Sequence, residues 1–439
     1  MSMGALILLP DGGFSVSSSG SFRGTFTIPA VPNGPYILLD QFRFGSNASS
    51  TPNAWVFYEE TSRQLPIVRE SFGRSWVNQG GVINPTTLTV TVNGLTPWVS
   101  TDKLSLWVPN LGLDLFDYAS FAQFGSAPTV GATSTTHAIN YSLLNDTALI
   151  NASQGDLAYA VQTRVTTAGA VVTETIVASS VFSPFTLSSG QPASISATLS
   201  SPPSFTQPLS WDLNAFSAVQ AQLPAGTNPS GTLRVFTYPV ANVAKGFEVL
   251  KLTVPAGTTP PTSVTIASPL ATSWAHWGSV SFTVAGTRLA PGATTGQFNV
   301  GGLFRRAPLS ALTGSPITPL LGPVRSPTIN GLDLNQPQTG VGLTPVIAWL
   351  PPSLGTATRY TLSVYSLETI GTDTRVRSSR DYITRATSVR VPQGVLTPGN
   401  PYLVQVSSIN DSVTSYANLE TPPTLAASGA WVVSAVVRP

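Results

Sequence analysis

Helix breakers set the first limit on this chain. Its 439 residues include 38 prolines and 37 glycines, and they are dispersed rather than clustered. Proline removes a backbone donor and glycine costs conformational entropy, so neither sits well inside a long helix. Between these residues the sequence alternates apolar and polar positions over short runs. Thr87-Leu-Thr-Val-Thr-Val92, Leu157-Ala-Tyr-Ala-Val-Gln-Thr-Arg-Val165 and Val280-Ser-Phe-Thr-Val284 are examples. A period of two puts successive side chains on opposite faces of a strand. The chain is therefore expected to be all-β, a multidomain string of β-sandwiches, since its length exceeds one ordinary core.

Charge narrows the partners. Charged residues are only 9% of the chain, where about 25% is usual. Hydrophobic residues reach 42%, which is too many for a disordered chain. The net charge of +2 forms no basic stripe, so nucleic acid is not an expected partner. Cysteine is absent, which removes disulfides, thiolate metal sites and a cysteine nucleophile. Lys103, Lys245 and Lys251 are the only lysines; the preference for arginine is associated with GC-rich, bacterial coding. No apolar run approaches the roughly 20 residues of a spanning helix, so no transmembrane segment is expected. The opening Met1 to Pro10 carries a short apolar burst without the basic region of a signal peptide.

Turn and strand signals divide the chain. Residues 1–105 read as a first sandwich, and 106–205 as its completion or a second one. Ser200 to Pro208 reads as a linker. Residues 209–305 read as another sandwich with a short helix near 212–223. In that helix Asp212 or Asn214 would be the cap, Phe216, Val219 and Leu223 share a face, and Pro224 ends it. Residues 306–326 read as a proline-rich linker, opened by Arg305-Arg306, and 327–439 as a last domain. The stretch Gly24-Thr-Phe-Thr-Ile-Pro-Ala-Val-Pro-Asn-Gly-Pro-Tyr-Ile-Leu-Leu39 resembles the carboxypeptidase-regulatory or transthyretin-like β-sandwich.

The last quarter carries a stronger pattern. Trp349 lies in Val346-Ile-Ala-Trp-Leu-Pro-Pro352. Arg359-Tyr-Thr-Leu-Ser-Val-Tyr365 follows, with Tyr360, Leu362 and Val364 on one face. About fifty residues after Trp349 come Leu396-Thr-Pro-Gly-Asn-Pro-Tyr402 and a strand-like run. A tyrosine after such a turn can reach back to the backbone and lock a corner between strands. The segment resembles a fibronectin type III domain, an immunoglobulin-like sandwich. The resemblance implies structural core roles for Trp349, Tyr360, Leu396 and Tyr402, and a non-catalytic, extracellular module. No second copy of the pattern occurs.

Catalytic and metal motifs are missing. His137 and His276 sit in no ligand-spaced pattern, and no G-x-S-x-G elbow occurs. Glu59-Glu60 would point to opposite faces of a strand. Asp114, Asp117 and Asp333 lie in no calcium loop, and turn capping is their expected role. No enzyme activity, cofactor or metal is expected. Among nine tryptophans, Trp274 and Trp277 in Trp-Ala-His-Trp are the candidates for stacking a sugar ring. The expected function is that of a secreted or cell-surface structural protein. It would act by adhesion or by self-assembly into a surface layer or filament, with itself, a surface polysaccharide or a protein as partner. The alternative is a carbohydrate-binding accessory protein of a surface polysaccharide system.

Overall fold

Alternation of side chains decides where this backbone extends. The computed structural model describes residues 2–8, 14–18, 36–43, 53–60, 86–111, 113–115, 127–140, 149–220, 222–224, 226–238, 246–270, 274–313, 315–411 and 426–439. For 2–8, 14–18, 36–43, 53–60 and 113–115 the backbone alone is described. The fold is all-β, with one α-helix among the described residues.

The first strands are β1 (Ser2–Leu8), β2 (Phe14–Ser18), β3 (Tyr36–Arg43) and β4 (Asn53–Glu60). They pair antiparallel in the order β2-β1-β3-β4. The apolar burst after Met1 is thus a strand. Tyr36 to Leu39 of the transthyretin-like stretch lies in β3, and its residues 24–35 fall outside the described residues.

A sandwich follows. It is built from β5 (Thr87–Asn93), β6 (Asp102–Val108), β7 (Leu113–Leu115), β8 (Ser134–Asn140), β9 (Tyr159–Ala168), β10 (Val171–Val181) and β11 (Ala193–Thr198). A small sheet, β11-β5-β8, lies on one side. Its Leu88, Val90, Val92 and Ile139 pack with Leu104, Leu106, Ala160 and Ala178 from β6, β9 and β10. One buried carboxylate pins the turn before β6. Asp102 accepts from Arg164 Nε and Nη2, both at 2.7 Å, from Gln162 Nε2 at 2.8 Å and from the Val99 N–H at 3.1 Å. Burial pushes the Asp102 carboxyl upward, but the bonds from Arg164, Val99 and Gln162 outweigh it and hold the group below its usual value.

The middle of the chain adds β12 (Ser204–Pro208), β13 (Thr227–Tyr238), β14 (Phe247–Pro255), β15 (Ser263–Ala267), β16 (Ala275–Thr287) and β17 (Gln297–Pro308). The helix spans Leu213–Gln220. It begins where Asp212 Oδ1 accepts the Ala215 N–H at 3.0 Å. Leu213, Phe216 and Val219 press onto the sheet, with Phe216 6.2 Å from Phe282 between ring centroids. Two stretches read as linkers carry structure. Ser204 to Pro208 pairs with β15. β17 continues through Arg305 and Arg306 to Pro308, and a 3-10 turn follows at Leu309–Leu312. Farther on, Ile317 donates to the Ser210 carbonyl at 2.7 Å and accepts the Asp212 N–H at 3.2 Å. Among the prolines of this stretch Leu309, Leu312, Ile317, Leu321 and Val324 are buried, and Leu320 is exposed.

The last strands are β18 (Arg325–Ile329), β19 (Leu332–Asp333), β20 (Gln338–Thr339), β21 (Val346–Leu350), β22 (Arg359–Ile370), β23 (Asp373–Thr384), β24 (Ser388–Arg390), β25 (Tyr402–Asp411), β26 (Ala427–Val433) and β27 (Val437–Arg438). A sheet of order β19-β18-β21-β24 stands apart from the run β23-β22-β25-β26. Trp349 and Tyr360 are buried, with ring centroids 5.4 Å apart. Leu396 and Tyr402 are buried as well. The Tyr402 hydroxyl accepts the Thr397 N–H at 2.8 Å, closing the corner before β25.

Strand pairing crosses every one of these groups. β10 pairs with β14, β17 with β26, and β23 with β4 in parallel. Among the described residues the result is one sheet of 18 strands that includes both β1 and β27. At β17–β26, Gly302 faces Trp431 and Phe304 faces Gly429. A Cβ on Gly302 would run into the Trp431 ring, and one on Gly429 into the Phe304 ring. Each aromatic ring therefore lies over the bare backbone of a glycine on the opposite strand.

Two stability measurements follow. Tyr402→Phe removes the hydroxyl that accepts the Thr397 N–H in a part-buried bond and is expected to cost about 1 kcal/mol in urea unfolding; an unchanged midpoint contradicts the corner. Asp102→Ala is expected to cost about 3–5 kcal/mol near neutral pH, because it leaves Arg164 without its partner. Since the folded Asp102 value is depressed, its contribution is full above the unfolded aspartate value and disappears as pH falls through the folded one. The gap between wild type and variant should therefore shrink in acid. A gap independent of pH contradicts the ion-pair account.

Candidate functional site

A residue on a strand belongs to the face that its parity assigns, and neighbours across the sheet follow from register. On β16, Gly278, Val280 and Phe282 are buried and face the core. Trp277, Ser279 and Ser281 therefore share the other face. Register extends that face sideways in rows. Trp277 stands between Pro308 on β17 and Phe236 on β13, and Phe236 stands opposite Glu248 on β14. The next row runs Arg306, Ser279, Arg234, Lys251 and Glu174 across β17, β16, β13, β14 and β10. The row after it begins with Phe304 and continues Ser281, Thr232 and Thr253. An aromatic row, a charged row and a hydroxyl row thus lie side by side.

A bulge makes the rows coincide. Between Val235 and Phe236 the register with β14 shifts by one residue. The shift keeps Glu248 and Lys251 on the same half-buried face, although they are three positions apart. Sequence alternation alone would have put them on opposite faces.

The charges are unevenly matched. Lys103 Nζ donates to Glu174 Oε1 at 2.7 Å, and the Glu174 side chain is only 16% exposed. Arg234 reaches Glu248 at 3.5 Å and remains 48% exposed. Burial pushes the Glu248 carboxyl up, and Glu174 adds to the push while Arg234, Lys251 and Lys103 oppose it. Arg234 and Lys251 are direct cross-strand neighbours of like sign. No hydrogen bond or salt bridge engages the Lys251 ammonium among the described residues. Burial pushes the Arg306 guanidinium down, and it lies near Tyr238, whose own hydroxyl burial pushes up to about 12.

The two tryptophans singled out from sequence have separate surroundings. Trp274 precedes β16 and packs in an aromatic cluster, with ring centroids 5.8 Å from Trp107 and 6.2 Å from Tyr159. Trp107 also meets Phe247 at 4.7 Å. Trp277 is half-buried on the outer face beside the charged row. His276, between them, faces Phe205 edge-on at 5.2 Å, and burial lowers its pKa. His137 lies on a different sheet, buried, within 2.9 Å of Thr135 Oγ1, and burial lowers its pKa too. The two imidazoles thus stand on different sheets. Asp333 caps a turn, accepting the Asn335 N–H at 2.9 Å; Asp117 lies outside the described residues. Among the described residues no group of three histidine, aspartate or glutamate side chains is placed to hold a metal ion.

Arg234, Lys251, Glu248 and Glu174 were not anticipated from sequence. They are far apart in the chain, and only register and a bulge bring them together. The one available signal was the scarcity of lysine, since two of the three lysines stand on or beside this face. In comparisons with known proteins, no family model matches the chain and no curated protein sequence matches it. No helix among the described residues is long and apolar enough to cross a membrane.

Proposed function

We propose that this chain is a non-catalytic structural and binding protein, secreted or displayed on a cell surface, which acts by adhesion or by self-assembly. The observation that carries this reading is the single sheet of 18 strands that, among the described residues, includes both β1 and β27. A chain whose segments are all cross-paired resists being pulled apart, and sheet edges offer backbone donors and acceptors to a further strand. The scarcity of charge works in the same direction, because weak repulsion permits close association.

The segment 327–439 is read as a fibronectin type III-like module. Its two facing groups of strands, the buried Trp349–Tyr360 contact and the Tyr402 corner support this. That reading agrees with an extracellular location and with the absence of any catalytic motif in the sequence. A second reading, a carbohydrate-binding accessory protein of a surface polysaccharide system, is favoured by one observation. Trp277 and Phe236 stand half-buried side by side on an outer face next to exposed Arg234.

Light scattering coupled to size-exclusion chromatography across a wide concentration range tests the first reading. The expected result is an oligomer population that grows with concentration. A protein that stays monomeric throughout, and that retains no surface, glycan or protein partner, contradicts it.

A further inference from the structure

Like charges directly opposite each other on adjacent strands repel, and folded chains usually offset them. Arg234 and Lys251 form such a pair on the outer face of β13 and β14. The two nearest carboxylates offset it poorly. Glu174 is committed to Lys103 at 2.7 Å. Glu248 stands 3.5 Å from Arg234, outside good charge-assisted hydrogen-bond range. Among the described residues Arg234 thus has only this longer contact with Glu248, and the Lys251 ammonium makes no hydrogen bond or salt bridge, so the pair keeps cationic donors for a further anion. Opposed residues on antiparallel strands have Cβ atoms about 4.5–5.5 Å apart, so both heads can close on one carboxylate.

The flanking rows define what carries that carboxylate. On one side, Trp277 and Phe236 are cross-strand neighbours on this face and supply aromatic surface for an apolar ring. On the other, Thr232, Ser281 and Thr253 offer hydroxyls, and Ser279 stands beside Arg234 in the charged row itself. Ring-stacking surface, cation pair and hydroxyl row match the three faces of an acidic sugar: an apolar ring face, a carboxylate and hydroxyls. An acidic peptide would use the cations but has no need of the other two rows.

We propose that the outer face of β14, β13 and β16 is a binding site for uronate-containing polysaccharide, with the carboxylate held between Arg234 and Lys251 and the sugar ring against Trp277 and Phe236. This inference rests on the carbohydrate-binding reading and adds the ligand class, the site and the cations that select it.

Isothermal titration calorimetry on the full chain tests it with three probes of similar length: an oligogalacturonate, a neutral gluco-oligosaccharide and a poly-glutamate peptide. The expected result is binding of the oligogalacturonate alone, weakened by rising salt. Arg234→Gln and Lys251→Gln should each weaken it by about tenfold or more, the loss of one charge-assisted bond. Trp277→Ala should also weaken it. Arg390→Gln, on a strand of the separate sheet β19-β18-β21-β24, should leave it unchanged. Circular dichroism confirms that each variant is folded. Equal binding of the neutral sugar leaves the carbohydrate reading standing and overturns the role of the cation pair. Equal binding of poly-glutamate overturns the sugar. Binding of no probe, or oligogalacturonate binding indifferent to Arg234→Gln and Lys251→Gln, overturns the site.

Discussion

The backbone pairing between β17 and β26 is the interaction on which the rest of this sheet depends. It joins strands more than a hundred residues apart, from Gly301 opposite Val432 to Arg306 opposite Ala427. The pairing is close because two glycines leave room for two rings. Trp431 covers Gly302 and Phe304 covers Gly429, with the two ring centroids 6.5 Å apart. Glycine inside a strand weakens it by offering nothing to pack. Here the opposite strand supplies the missing side-chain surface, so the cost is offset across the seam. The core follows the sheet: Leu303 and Ala307 of β17 belong to the same buried cluster as Ala430 and Val432 of β26.

Once that seam is formed, the neighbouring pairings extend it in both directions. β16, β13, β14 and β10 lie on one side, and β25, β22, β23 and β4 on the other. The rows of Trp277 and Arg234 lie on one side of that seam, on β17, β16, β13 and β14, with β10 extending the second. They cross four and five strands, and the Arg234 row reaches Glu174 only because β10 of the preceding segment pairs with β14.

Much of the strand pattern was legible in the sequence. Thr87 to Val92, Phe247 to Val254 and Arg359 to Tyr365 all alternate, and all lie in strands. The cap at Asp212 and the face made by Phe216 and Val219 were legible because they depend on near neighbours. β23 was missed: Asp373 to Thr384 carries three arginines, two aspartates and four serines or threonines among few apolar residues, and its backbone is held by β22 and β4 instead. Pairings between distant strands leave no local signature at all. The parallel contact of β23 with β4 spans more than three hundred residues, and the bulge that aligns Glu248 with Lys251 is visible only in register. For the same reason Trp277 could be named from sequence, while the charged row beside it could not.

Native-state hydrogen exchange on the intact chain tests the seam most directly. Backbone amides of β17 and β26 that face each other should exchange only with the slowest class, together with central amides of β13 and β22, because a continuous sheet opens there last. Fast exchange along β17 and β26 while β13 and β22 stay protected would contradict the account. It would mean that the two halves of the chain hold their own structure and that the seam between them does not bind them into one sheet.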